Sequence, residues 1–135
     1  VNDWKSYTTT KEREHRAMVN NSQIGNACEV KNSIVFDESN IPHHNYVGDS
    51  VIGQNCNLGS GTKIANLRLD KKNIKVVLNG EKIDTKRRKL GIIMGDKVQT
   101  GINATIKIGT KNENKILIVQ LYNYLFYMVL LALFL

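Results

Sequence analysis

Residues 41–68 read IPHHNYVGDSVIGQNCNLGSGTKIANLR, and the aliphatic residues Ile41, Val47, Ile52, Leu58 and Ile64 stand 6, 5, 6 and 6 positions apart. An amphipathic helix needs apolar residues three and four apart, and a half-buried strand needs every second one. A beat of six satisfies neither. Val47, Ile52 and Leu58 are each followed by Gly, and four positions beyond each comes a small residue: Val51, Cys56 and Thr62. Hexads of this kind describe a parallel β-helix, in which each hexad makes one short strand and one turn and three hexads close a triangular coil.

In such a solenoid the first residue of the hexad faces the interior and stacks on its equivalent one coil along, so it is aliphatic. The Gly after it is expected at the bend, where unusual φ/ψ is needed, and the fifth residue is small to fit the corner. Working outward, Ile24-Gly25 and Val30 keep the beat, and Met94-Gly95, Thr100-Gly101 and Ile106 resume it. The expected fold class is therefore all-β, a hexapeptide-repeat parallel β-helix over 23–109. Its interior holds Ile24, Val30, Ile41, Val47, Ile52, Leu58, Ile64, Met94 and Ile106.

The beat is interrupted over 67–90. There Lys75-Val76-Val77-Leu78 and Glu81-Lys82-Ile83 flank Asn79-Gly80, and Asn-Gly between two strand-like runs signals a hairpin with a type I′ turn. A β-hairpin arm should project from one corner of the prism. The arm is also where the charge lies: 19 Lys and Arg against 12 acids give +7, and residues 63–97 hold 11 of the former and 4 of the latter, the whole excess. An anionic ligand near the arm is the natural expectation. Nucleic acid is not expected, because aromatic interleaving and helix-turn-helix or zinc-finger spacing are missing.

Residues 1–22 lack the beat and read as a linker or short helix, and the missing initiator Met reads as a fragment. The segment 110–135 reads as an apolar tail. Its last twenty residues, Ile116 to Leu135, carry only Gln120 and Asn123 as strongly polar side chains, and at about 1.5 Å per residue they would span about 30 Å, a bilayer core, as a helix. Two readings stand open for it: a membrane-spanning or membrane-lying helix, or a frame-shifted terminus. Membrane contact through the tail is thus left open. Cys28 and Cys56 both take the small fifth position, so they read as core fillers, and two cysteines without a CxxC or a secretory signal fit a reducing cytoplasm.

The combination of EVKNS at 29–33, PHHNYVGDSVIG at 42–53, NLGSGTKIANLR at 57–68, RRKLG at 87–91 and GDKVQTGIN at 95–103 resembles one family closely. It is similar to the C-terminal acetyltransferase domain of bifunctional sugar-1-phosphate nucleotidylyltransferase and amino-sugar-1-phosphate N-acetyltransferase enzymes of the archaeal type. The resemblance implies a left-handed β-helix, a homotrimer with sites between subunits, and acetyl-CoA as co-substrate, with no permanently bound cofactor and no metal. The acetyl group would go to the amine of glucosamine-1-phosphate or galactosamine-1-phosphate. The nucleotidylyltransferase half is expected to be missing from this chain. Where relatives read T-I-x-P-G-V-x-I-G, this sequence has Thr105-Ile106-Lys107-Ile108-Gly109, as if about four residues were lost, so an incomplete coenzyme groove is expected.

A thioester already carries a good leaving group, so the chemistry needs one base and good positioning. The resemblance puts His43 in the family's His-x-x-Tyr position as that base, and an imidazole near its ordinary pKa of about 6.5 suits the task. Tyr46 would donate to the sugar phosphate, and Asn66 would hold the sugar or orient the acetyl group. Lys72 and Lys75, at the base of the arm, would bind phosphate as point charges. Thr100, Gly101 and Ile102 would lie against the coenzyme. Asp49 has two readings, orienting His43 or serving as an ordinary turn residue, and His44 has no assigned role. The alternative to an enzyme is a non-catalytic trimerising remnant. A γ-type carbonic anhydrase shares the fold but needs three His from different coils around one zinc; His15 lies outside the solenoid and His43 and His44 are adjacent.

Overall fold

The computed structural model describes residues 16–18, 21–112 and 117–118, and every element in them is a strand. In chain order the body contains β1 (Arg16–Met18), then β2 (Gln23–Ile24), β3 (Glu29–Lys31) and β4 (Ser33–Val35). The next coil is β5 (Asn40–Ile41), β6 (Tyr46–Gly48) and β7 (Val51–Ile52). The third begins with β8 (Asn57–Leu58) and β9 (Lys63–Ile64), makes the arm from β10 (Lys75–Leu78) and β11 (Glu81–Asp84), and closes with β12 (Ile92–Met94). β13 (Gln99–Thr100), β14 (Thr105–Ile106), β15 (Thr110–Asn112) and β16 (Leu117–Ile118) follow.

These strands stack in parallel into three faces: β1-β4-β7-β12-β15, β2-β5-β8-β13-β16 and β3-β6-β9-β14. Ile24 pairs with Ile41, Val30 with Val47 and Val35 with Ile52, each 17 positions apart. Ile52 with Met94, Leu58 with Thr100 and Ile64 with Ile106 are each 42 apart. The difference, 42 − 17 = 25 residues, is the arm, inserted into one coil without shifting the stack. A coil of 17 explains the uneven beat: two corners take six residues and the corner from the third face to the first takes five.

All nine residues expected inside are buried, and Val35, Ile92, Val98 and Ala104 join them. The five-residue corner changes one expectation. Ser50, not Val51, is the small residue tucked inside, while Val51 is half-buried on the first face. These inner corner positions form hydrogen-bonded columns. Ser33 Oγ accepts from the Ser50 N–H (3.0 Å) and Ser50 Oγ from the Ile92 N–H (3.1 Å). Ser39 Oγ accepts from Cys56 (2.9 Å) and Asn45 Oδ1 from Thr62 (2.7 Å). Each satisfies a backbone donor that would otherwise be buried without a partner, at a cost of about 1–3 kcal/mol.

The glycines of the hexads do a different job from the one expected. Gly48, Gly53 and Gly59 do not have positive φ; the left-handed corners fall instead on residues such as Asn32, His44, Asp49, Asn55 and Asn103, and Asn and Asp tolerate that region better than most. The glycines are required by close approach. A Cβ on Gly53 would sit 2.6 Å from the Gly95 carbonyl, and one on Gly59 2.6 Å from that of Gly101.

The solenoid also runs past both boundaries expected for it. β1 lies within the segment read as a linker and pairs with β4, and β15 and β16 continue the first and second faces, with Asn112 in register with Met94 and Ile118 with Thr100. Ile106, Asn112 and Ile118 keep the beat of six, so the strands do not stop at 109 as expected. Most of the Ile116 to Leu135 segment, with the helix and membrane readings attached to it, lies outside the described residues. Among those described, no helix is long and apolar enough to cross a membrane.

The arm leaves after Asn66 and returns at Leu90, where the Leu90 N–H bonds the Asn66 carbonyl (3.0 Å). Its hairpin register is Lys75 with Asp84 through Leu78 with Glu81, and Asn79 and Gly80 have φ of 51° and 83°, the expected type I′ turn. Ile74, 1% exposed, is its buried anchor. A Cβ on Gly109 would lie 2.8 Å from the Ile74 Cγ2, so that glycine makes room for the anchor.

Candidate functional site

The third face places Tyr46 and Gly48 on its outer side, since strand side chains alternate and Val47 points inward. The Tyr46 ring folds back over Gly48, where a Cβ would lie 2.8 Å from the Tyr46 hydroxyl oxygen and 2.6 Å from Asn66 Nδ2. Asn66, one coil along, reaches back to the same spot. Its Nδ2 donates to the Tyr46 hydroxyl oxygen (3.1 Å) and to Asp49 Oδ2 (2.6 Å). Asp49 Oδ1 in turn accepts from Asn32 Nδ2 (2.6 Å). Four polar side chains from three successive coils therefore form one connected network where the arm departs.

His43 stands on the neighbouring corner, between β5 and β6. It is exposed, its carbonyl accepts from the Gly61 N–H (3.0 Å), and its imidazole forms no hydrogen bond with any described residue. A free ring is available to take a proton from a ligand. Asp49 makes no hydrogen bond to His43; its two oxygens accept from Asn32 and Asn66 instead. His44 takes φ 52° at the turn and its carbonyl accepts from Lys63 Nζ (2.6 Å), which gives it a backbone role.

Lys72 and Lys75 are exposed on the arm and form no ion pair among the described residues. Next to them Arg68 grips Asp70 through two bonds of 2.7 and 2.6 Å, and these hold the Asp70 carboxyl far below the usual range. The Asp70 charge is thereby balanced by Arg68, and the lysines remain available to an anion.

The three residues expected against the coenzyme divide. Thr100 is 5% exposed, and its Oγ1 accepts from the Gly59 N–H and bonds Thr62 Oγ1, both at 2.8 Å; a stacking position in the interior has turned it away from solvent. Gly101 packs against Gly59. Ile102 is exposed, on the same corner column as His43. Cys28 and Cys56 are free and buried, and burial pushes the Cys56 thiol up, so these are core residues and not nucleophiles.

The stacked hexads, the hairpin arm and the polar network define a hexapeptide-repeat β-helix domain. The chain belongs to the family described as the GMPPB C-terminal domain, which matches residues 14–117. It is 50% identical over 99 residues to the bifunctional sugar-1-phosphate nucleotidylyltransferase/acetyltransferase of Sulfurisphaera tokodaii, covering 73% of this chain and 25% of that protein. Against the bifunctional protein GlmU of Methanocaldococcus jannaschii it is 46% identical over 99 residues, 73% of this chain and 24% of the relative. A shorter match, 48% over 59 residues, is to GlmU of Rubrobacter xylanophilus, 44% of this chain and 13% of that protein. The chain thus spans about a quarter of the first two relatives.

Proposed function

We propose that this domain transfers acetyl from acetyl-CoA to the amine of an amino-sugar-1-phosphate, glucosamine-1-phosphate or galactosamine-1-phosphate. The observation that carries the reading is the Tyr46–Asn66 pair at the root of a basic arm, with the free imidazole of His43 on the neighbouring corner. The Sulfurisphaera tokodaii relative, whose name includes acetyltransferase, supports it. His43 takes the ammonium proton, and the freed amine attacks the thioester carbonyl. The C–N bond forms and the C–S bond breaks; the proton first taken by His43 passes to solvent, and the second proton, lost by the attacking nitrogen, is taken up by the departing coenzyme thiolate. Lys72, Lys75 and the Tyr46 hydroxyl hold the phosphate.

The working assembly we propose is a homotrimer. Ile34, Val51 and Ile93 are in register and form an apolar row along the outer side of the first face, with Ile34 and Ile93 exposed, and exposed Val77, Leu78 and Ile83 mark the arm as needing a neighbour. Sedimentation giving only monomer at high concentration counts against it. The activity is tested by incubating the chain with acetyl-CoA and each amino-sugar phosphate and following free thiol and N-acetyl product. Product expected with wild type and lost with His43→Ala supports the reading; no product with either sugar supports a non-catalytic domain.

A further inference from the structure

Asn32, Asp49 and Asn66 occur at intervals of 17 residues, one per coil, on the corner between the third face and the first. Asn32 and Asp49 are both left-handed there, with φ of 50° and 51°. A carboxylate only accepts hydrogen bonds, whereas an amide has a donating and an accepting end. Asp49 therefore decides which way each asparagine faces. With Nδ2 drawn to Asp49 Oδ2 (2.6 Å) and also to the Tyr46 oxygen (3.1 Å), both Nδ2 protons of Asn66 are used. Asn66 Oδ1 is left without a partner among the described residues, and the tyrosine, which accepts, keeps its own proton to give.

We propose that Asp49, clamped by Asn32, is a positioning residue that fixes Asn66 as an acceptor and Tyr46 as a donor toward the substrate. An acceptor suits the N–H of an amino sugar and a donor suits a phosphate oxygen, so the polarity of the site is set by the residue behind Asn66. Gly48 permits the arrangement, because any side chain there would enter the space of both groups. The assignment of Asp49 to this role rests on the acetyl-transfer reading, but the hydrogen-bond geometry does not.

Two readouts separate them. In the intact chain the Asn66 side-chain amide should give a slowly exchanging NMR pair, and Asp49→Asn, which leaves one accepting oxygen for two amides, should abolish its protection. In kinetics Asp49→Asn should raise KM for the amino-sugar phosphate and lower kcat, together about 10- to 100-fold, with KM for acetyl-CoA unchanged. Asn32→Ala should show a weaker form of both, and decides the matter if Asp49→Asn does not fold. If the wild-type chain transfers no acetyl, the amide exchange alone decides. Unchanged Asn66 protection in both variants, or a rate loss that spares KM for the sugar and follows thermal stability, overturns the proposal.

Discussion

The solenoid body and the hairpin arm are built on opposite terms. In the body every second or third residue is buried, each coil is tied to the next by parallel ladders, and the corner side chains Ser33, Ser39, Asn45 and Ser50 bond the following coil. In the arm Ile74 is the one residue of 67–90 that is fully buried, and Val77, Leu78, Ile83 and Leu69 stay exposed. Neighbouring coils thus determine each other's register, whereas the arm depends on its own Asn-Gly turn and a single anchor against Gly109. Positive charge can accumulate on such an arm without desolvation, and residues there are free to serve a ligand.

That contrast can be broken by substitution. Leu58→Ala removes a fully buried side chain between two coils and should cost about 2–5 kcal/mol, read from denaturant unfolding. Ser50→Ala leaves the Ile92 N–H without its acceptor and should cost about 1–3 kcal/mol; a loss as small as that of an exposed residue would show that the corner columns do not matter. Lys75→Ala should leave the unfolding midpoint unchanged and raise KM for the amino-sugar phosphate roughly tenfold, since a phosphate contact contributes equally in ground and transition states. A shift in the midpoint would mean the arm is structural.

The smallest expected effect is a pH dependence in the body. Burial raises the Cys56 thiol above its ordinary 9.0, so the fold favours the neutral form. That contribution is complete below about pH 9 and is lost as pH rises through the raised folded value. Unfolding free energy should therefore fall at alkaline pH more in wild type than in Cys56→Ala, and equal slopes would contradict it.

The same contrast explains what could be read from the residues alone. Interior aliphatics repeat in one dimension, so the body was legible from Ile41 to Ile64, and Asn79-Gly80 gave the turn. Corner geometry was not legible: the five-residue corner hid Ser50 behind Val51, and the glycines were assigned to φ when close coils require them. A polar residue, Asn112, in register with Met94 concealed the continuation of the beat to Ile118. In the site, Tyr46 and Asn66 were expected from resemblance, and the network joins them. The role of Asp49 required knowing that 17 residues make a coil; with that spacing, Asn32, Asp49 and Asn66 fall into one column. Ile74 among charged neighbours gave no signal.

The acetyl transfer proposed above rests on His43, an exposed imidazole on the solenoid corner next to the one that carries the Tyr46–Asn66 pair. Single-turnover measurement of His43→Ala with acetyl-CoA and glucosamine-1-phosphate tests it most directly. The account predicts a rate reduced by roughly 10² to 10⁴ with KM for the sugar phosphate nearly unchanged, while His44→Ala retains most activity. A His43→Ala rate equal to wild type, with activity lost in His44→Ala instead, would contradict it.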